Sequence, residues 1–210
     1  MLTFYHSPWT RATGVRILLE ELGAPYAMRV INRQAGEQRQ PEFLKINPLG
    51  KVPTIEHDGA VVTEQVAIYI YLADAFPERG LAPPIGDKLR GPYLRWLAFY
   101  GSSFEPALVD YYLKREPPSL AMSPYGTYED VIDLLSRQLA TGPYLLGDRF
   151  TAADVLWGTA LTWTTKFELV PQRPEFAAYM QRINERPIVQ RVNAEDAELA
   201  AKHHPPTSSA

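Results

Sequence analysis

The first 75 residues alternate between two apolar periods, and few folds accommodate that alternation. LTFYH at residues 2–6 reads as a short strand, and Val15, Leu18, Leu19 and Leu22 then recur at i, i+3, i+4 and i+7, the repeat of one helix face. AMRVI at 27–31 returns to strand. KVPTI at 51–55 and AVV at 60–62 are two further strands around Asp58-Gly59, a hairpin turn pair, and Ile68, Tyr71, Leu72 and Ala75 close the series with a second helix. The order is βαβ followed by ββα. Between Phe76 and Ile85 the stretch FPERGLAPPI concentrates proline and glycine, as linkers do. Beyond it only helical spacing is found: Leu89, Tyr93, Trp96, Leu97, Tyr100 and Phe104 form one stripe, Tyr128, Val131, Ile132, Leu135 and Leu139 a second, Phe176, Tyr179, Met180 and Ile183 a third. The chain therefore divides into an α/β domain over 1–76, a linker over 77–86, an all-helical domain over 87–201 and a tail over 202–210 expected to be disordered. No internal repeat is visible.

Composition narrows the function classes. With 46% hydrophobic and 21% charged residues in 210, the chain has the profile of a globular protein with a substantial core. A formal net charge of -3 and no basic stripe argue against nucleic acid as a partner. There is no cysteine, so disulfides, thiolate nucleophiles and cysteine-ligated zinc are excluded. Of the four histidines, His203 and His204 sit in a polar tail and His6 and His57 are far apart in sequence, which does not suggest a metal site. The opening MLTFYHSPWTR lacks the pattern of a secretory signal and no apolar run approaches a membrane span, which makes the cytoplasm the expected location.

Two motifs have specific physical meanings. TAAD at 151–154, ahead of the apolar run VLWG, is a capping box in which Thr151 and Asp154 satisfy each other's backbone N–H groups, with Phe150 and Val155 as a hydrophobic staple. Its aspartate belongs to folding and not to catalysis. In GKVPTIEHDG, Pro53 lies inside a strand pattern, where it removes a ladder donor. Two readings are open from these residues: a trans proline starting an edge strand, or a cis Val52–Pro53 bond that turns the backbone N–H and C=O of Val52 outward for a ligand.

The strand and helix order, the proline entering the third strand, NPLGKVPTIEHDG followed by TEQVAIYIYLAD, and FTAADV in the helical half together resemble the cytosolic glutathione transferase superfamily, bacterial type, over residues 2–190. The resemblance implies a thioredoxin-like N-terminal domain followed by an all-helical C-terminal domain, glutathione as co-substrate without a metal, a hydrophobic electrophile as second substrate, and a homodimer in which the first domain of one subunit packs on the helical domain of the other. It implies a cis Pro53, with Val52 pairing through its backbone to the cysteinyl part of glutathione. Glu64 would hold the ligand's ammonium, and Gln65, where relatives carry a small hydroxyl residue, its α-carboxylate. Gln38 and Arg39, with Lys51 nearby, would meet the glycyl carboxylate.

The thiol must also be activated, since a free cysteinyl thiol has a pKa of about 8.5. YHSPWTRAT offers Tyr5, Ser7, Thr10 and Thr13, with Arg11 among them. Counted from the first strand, Thr10 matches the catalytic serine or cysteine of relatives, whereas counting back from VRILLEEL shifts the match toward Arg11. Thr10 and Ser7 are the expected hydroxyl donors, and an N-cap is the other reading of Thr10. Tyr100, Phe104, Tyr111 and Tyr112 are the expected electrophile lining, unless that stripe is core. A non-catalytic relative that binds a protein partner or carries a hydrophobic ligand is the alternative to an enzyme.

Overall fold

The computed structural model describes residues 1–116 and 119–203. Four strands, β1 (Leu2–His6), β2 (Tyr26–Val30), β3 (Thr54–His57) and β4 (Ala60–Val62), form one sheet in the order β2-β1-β3-β4. β1 runs parallel to β2, with Leu2 opposite Tyr26, and α1 (Ala12–Leu22) makes the crossover that a parallel pair requires. β3 runs antiparallel to β1, Leu2 facing His57, and β4 returns along β3 through the Asp58-Gly59 turn. Leu2, Phe4 and Ile55 on one face meet the buried Val15, Leu18, Leu19 and Leu22 of α1.

Local departures from the sequence reading have identifiable causes. β3 starts at Thr54 rather than Lys51, because the Lys51 carbonyl is taken by the Thr54 hydroxyl and the Asn47 amide, both at 2.9 Å. α2 (Pro41–Leu44) and a 3-10 turn at Glu37–Arg39 fill what reads as a loop. In α3 (Gln65–Ala75) the buried residues are Ile68, Tyr69, Leu72 and Ala73, while Tyr71 bonds His57 Nδ1 at 2.9 Å from the edge of that face. The helix touches the sheet, α1 and the helical half together, so its buried arc is broader than one stripe. The linker is anchored: Leu81 is buried and its carbonyl accepts from the Ala152 N–H at 2.8 Å.

The helical half comprises α4 (Arg90–Phe99), a π-helical turn at Tyr100–Phe104, α5 (Glu105–Tyr112), α6 (Tyr128–Leu139), α7 (Ala152–Lys166), α8 (Pro174–Asn184) and α9 (Pro187–His203). Its centre is Trp157 of α7, whose indole N–H donates to the Trp96 carbonyl at 3.0 Å. The rings of Trp96, Phe99, Tyr100 and Phe104 pack around it, Phe104 closest at 4.7 Å between centroids. Tyr100 and Phe104 are thus core residues and not electrophile lining, because the stripe that carries them faces Trp157. Gly158 lets α8 approach, since a Cβ there would lie 2.6 Å from Ile183 Cγ2. α9 extends through Lys202 and His203, two residues into the expected tail; the rest of that expectation, 204–210, lies outside the described residues.

The capping box opens α7. Asp154 Oδ2 accepts from the Thr151 N–H at 2.8 Å and the Thr151 hydroxyl at 3.0 Å, and Oδ1 from the Leu145 N–H at 2.9 Å and the Tyr179 hydroxyl at 3.0 Å. Burial pushes this carboxyl up to about 6 while the four donors pull it back. All of its acceptor capacity is in structural use.

The two halves are clasped by α9. Asp196, buried, accepts from Thr13 at 2.6 Å and Arg16 at 2.7 Å and lies 2.9 Å from His6 Nε2, while Arg16 also pairs with Glu195. Arg186 chelates Glu21 through two 2.7 Å bonds. Burial alone would raise the Asp196 carboxyl, but the bonds from His6, Thr13 and Arg16 outweigh it and hold it below its ordinary value. A depressed carboxyl contributes stability above its unfolded pKa of about 3.9 that is lost as pH falls through the lower folded value. Asp196→Asn, which leaves Arg16 short of one buried counter-charge, is expected to cost about 3 kcal/mol at neutral pH in urea denaturation and to flatten stability against pH below about 4.

Candidate glutathione site

A cavity of about 330 Å³ opens where three loops converge. The connection from β1 to α1 supplies Trp9, Thr10 and Arg11; the segment after β2 supplies Arg33, Gln38 and Arg39; the turn before β3 supplies Gly50, Lys51 and Val52. Two of these loops approach closely enough to demand glycine: Gly50 has φ +60°, and a Cβ there would lie 2.5 Å from the Gln38 carbonyl oxygen. Asn47, buried, holds the turn. Its amide donates to the Lys51 carbonyl at 2.9 Å and Thr54 Oγ1 at 3.0 Å, and its Oδ1 accepts from the Leu49 N–H at 3.1 Å.

The Val52–Pro53 bond is cis. Since β3 begins at Thr54, Val52 stands beside the sheet without a ladder partner. Four cationic residues, Arg11, Arg33, Arg39 and Lys51, line the cavity, Arg11 already paired with Glu105, and no carboxylate lines it among the described residues. The field inside favours an anion. Arg39 also donates to the Leu49 carbonyl at 3.3 Å, and the side-chain carbonyl of Gln38 is buried with no hydrogen-bond partner.

Glu64 and Gln65 are not among the cavity-lining residues and open α3. Glu64 has φ +63° and no side-chain cap bond closes the helix, so no capping side chain satisfies its first-turn N–H groups. Trp9, at φ +55°, is the second non-glycine residue around the site in the left-handed region. Such strained residues gather at ligand clamps. The Gln65 amide reaches the Arg11 carbonyl at 3.4 Å, and its own carbonyl oxygen is buried without a partner.

The expected hydroxyl donors are all engaged or enclosed. Thr10 Oγ1 donates to the Ser7 carbonyl at 2.7 Å and accepts from the Ala12 N–H at 3.1 Å, which makes it a cap for the start of α1. Ser7 is 3% exposed. Tyr5 reaches Glu56 at 3.4 Å, with burial and then Glu56 raising its phenol, and Thr13 serves Asp196. Arg11 instead extends across the gap between the halves: its Nε donates to Glu105 and its guanidinium lies 5.4 Å from the Trp163 ring centre.

Of the expected electrophile residues, Tyr111 and Tyr112 are on the outside of α5, 50% and 68% exposed, Tyr111 stacked on Tyr128 at 4.2 Å. Asn47, Arg33, Trp9 and Glu105 escaped the sequence reading. Asn47 carries a local signal, an asparagine before proline and a glycine turn, whereas Glu105 is brought in only by tertiary folding. No group of three or more residues that could hold a metal occurs among the described residues, and no described helix is long and apolar enough to cross a membrane.

Comparison with known proteins agrees with this layout. Residues 1–74 match the model of the glutathione S-transferase N-terminal domain and residues 125–182 that of the C-terminal domain. The chain is 27% identical over 192 residues to glutathione S-transferase GstA of Escherichia coli O157:H7, covering 90% of this chain and 96% of that protein. A crystal structure of glutathione transferase from Methylococcus capsulatus strain Bath superposes with a TM-score of 0.78 at 30% identity, covering 94% of this chain and all of the other. A sphingomonad glutathione S-transferase complexed with glutathione gives 0.76 at 28% identity, covering 93% of this chain and 98% of the other. With a thioredoxin-like domain ahead of a helical one and both family models matched in order, the chain belongs to the cytosolic glutathione S-transferase superfamily.

Proposed function

We propose that the protein binds glutathione in this cavity, holds its thiol as the thiolate near the start of α1, and adds it to a hydrophobic electrophile. The observation that carries this reading is a backbone edge at Val52 outside the sheet ladder, in a cavity lined by four cationic residues and, among the described residues, by no carboxylate. A short acidic peptide answers both features, its backbone pairing with Val52 beside Pro53 and its glycyl carboxylate meeting Gln38, Arg39 and Lys51. The γ-glutamyl end would reach α3, its ammonium at Glu64 and its α-carboxylate at Gln65 and the free N–H groups there. Without a protein cysteine, the sulfur that reacts is the ligand's own, which confines the chemistry to addition, substitution, isomerisation or thiol-dependent peroxide reduction. Glutathione is the co-substrate and no metal takes part.

The enzyme is a cytoplasmic homodimer in this reading, its first domain packed on the partner's helical domain. Light scattering should return about twice the 23.7 kDa chain mass at micromolar concentration, and a value near the chain mass would refute the dimer. Retention on immobilised glutathione with turnover of an aromatic halide is the direct test. Strong retention without turnover across several electrophile classes would instead identify a binding protein. Glu64→Ala removes a charge-assisted contact worth about 1.5–3 kcal/mol, so calorimetry should show glutathione affinity reduced roughly tenfold to a hundredfold. An unchanged affinity would place the ammonium elsewhere.

A further inference from the structure

We infer that Arg11, and not a hydroxyl, stabilises the thiolate, with Glu105 as the residue that aims its guanidinium. This rests on the glutathione site proposed above. Two of the hydroxyls are occupied, the Thr10 proton being given to the Ser7 carbonyl while its oxygen accepts from Ala12 and Thr13 serving Asp196, and Ser7, 3% exposed, is not among the cavity-lining residues. Arg11 is the next group at the same end of α1, and it lines the cavity that contains Val52.

The guanidinium is held from several sides. Glu105 takes its Nε edge, Trp163 lies beside its plane, and Gln65 steadies the backbone carbonyl of the same residue. Glu105 is itself set by the π-helical turn. Its N–H bonds the Tyr100 carbonyl five residues back, and the Tyr100 hydroxyl donates to the carboxylate oxygen that Arg11 uses, at 2.6 Å. On a regular α-helix, side chains five apart point to different faces; the widened turn brings these two together, and such turns are frequent at functional sites. A guanidinium is planar, so fixing Nε fixes the direction of its two remaining nitrogens, which form a fork suited to an anion. Glu105 reduces the net positive field but decides where the fork points. Gln65 gains a role of the same kind, since the residue that replaces the family's small hydroxyl is the one that touches the Arg11 backbone.

The test is ultraviolet titration of bound glutathione in the wild type, Arg11→Gln, Arg11→Lys and Glu105→Ala, with kcat and KM measured near pH 6.5. A wild-type thiol pKa below the free value of about 8.5 is expected, rising by roughly 1–2 units in Arg11→Gln. The thiolate fraction, and with it kcat at that pH, then falls about tenfold per unit, while KM for glutathione changes little. Arg11→Lys keeps the charge without the fork and should fall between, and Glu105→Ala should show a smaller rise than Arg11→Gln. A folded Arg11→Gln with the wild-type thiol pKa would overturn the role of Arg11, and an unmoved pKa in Glu105→Ala would overturn that of Glu105. If Arg11→Gln fails to fold, the double variant Arg11→Gln/Glu105→Gln removes both charges together and carries the same comparison. A wild type that binds glutathione without lowering its thiol pKa overturns the inference and leaves the binding site standing. A wild type that fails to bind glutathione overturns both.

Discussion

The carboxylate of Asp196 lies inside the contact between α9 and the first domain, where His6 of β1 and Thr13 and Arg16 of α1 all converge on it. Three partners from one domain meeting a single buried charge from the other set the position and the roll of α1 about its axis. The site depends on that setting. The start of α1 carries Thr10 and Arg11, and a rotation of the helix by one residue would carry Arg11 away from both the cavity and Glu105. Arg191 of α9 with Glu20, and Arg186 in the connection just ahead of α9 with Glu21, repeat the clasp further along α1. A buried ion pair is weak evidence of stability by itself, but its geometric demand is strict, because a misplaced partner leaves a charge without compensation.

The second constraint is the meeting of loops around Val52. Asn47 and Thr54 divide the Lys51 carbonyl between them, and Gly50 allows the loop carrying Gln38 to come within contact distance. These contacts are polar and short-range, and their result is a backbone edge facing a cavity crowded with cations. In the proposed function, affinity for an acidic peptide would follow from two unrelated features, an unfilled place beside the sheet and a one-sided field, and neither would confer selectivity alone.

Most of the fold was legible because its elements are amphipathic at their own periods. The spans of β1 and β4, the four apolar positions of α1 and the capping box at Thr151 and Asp154 stand in the structure where the patterns put them. Misreadings fall where one residue serves two surfaces. Tyr100 and Phe104 sit at helical spacing on a segment that could face either a ligand or Trp157, and periodicity does not distinguish the two. Tyr69 rather than Tyr71 is buried on α3 because that helix is packed from several sides. The tail reads as disordered from Lys202 onward, yet α9 continues through His203.

The sequence by itself determined the domain order, the helix that begins at the capping box, the turn at Asp58-Gly59 and the exclusion of protein thiol chemistry. Those depend on local periodicity, on backbone preference and on which atoms are present. Only the tertiary structure decided what each side chain around the start of α1 is bonded to. Thr10, Ser7, Thr13 and Arg11 are equivalent as letters, and what separates them is a carbonyl three residues back, an aspartate 183 positions away and a glutamate 94 positions away. A hydroxyl's proton goes to whichever acceptor folding brings within reach, and a guanidinium points where its counter-charge is held. Those placements arise from packing between distant segments, which no local pattern encodes.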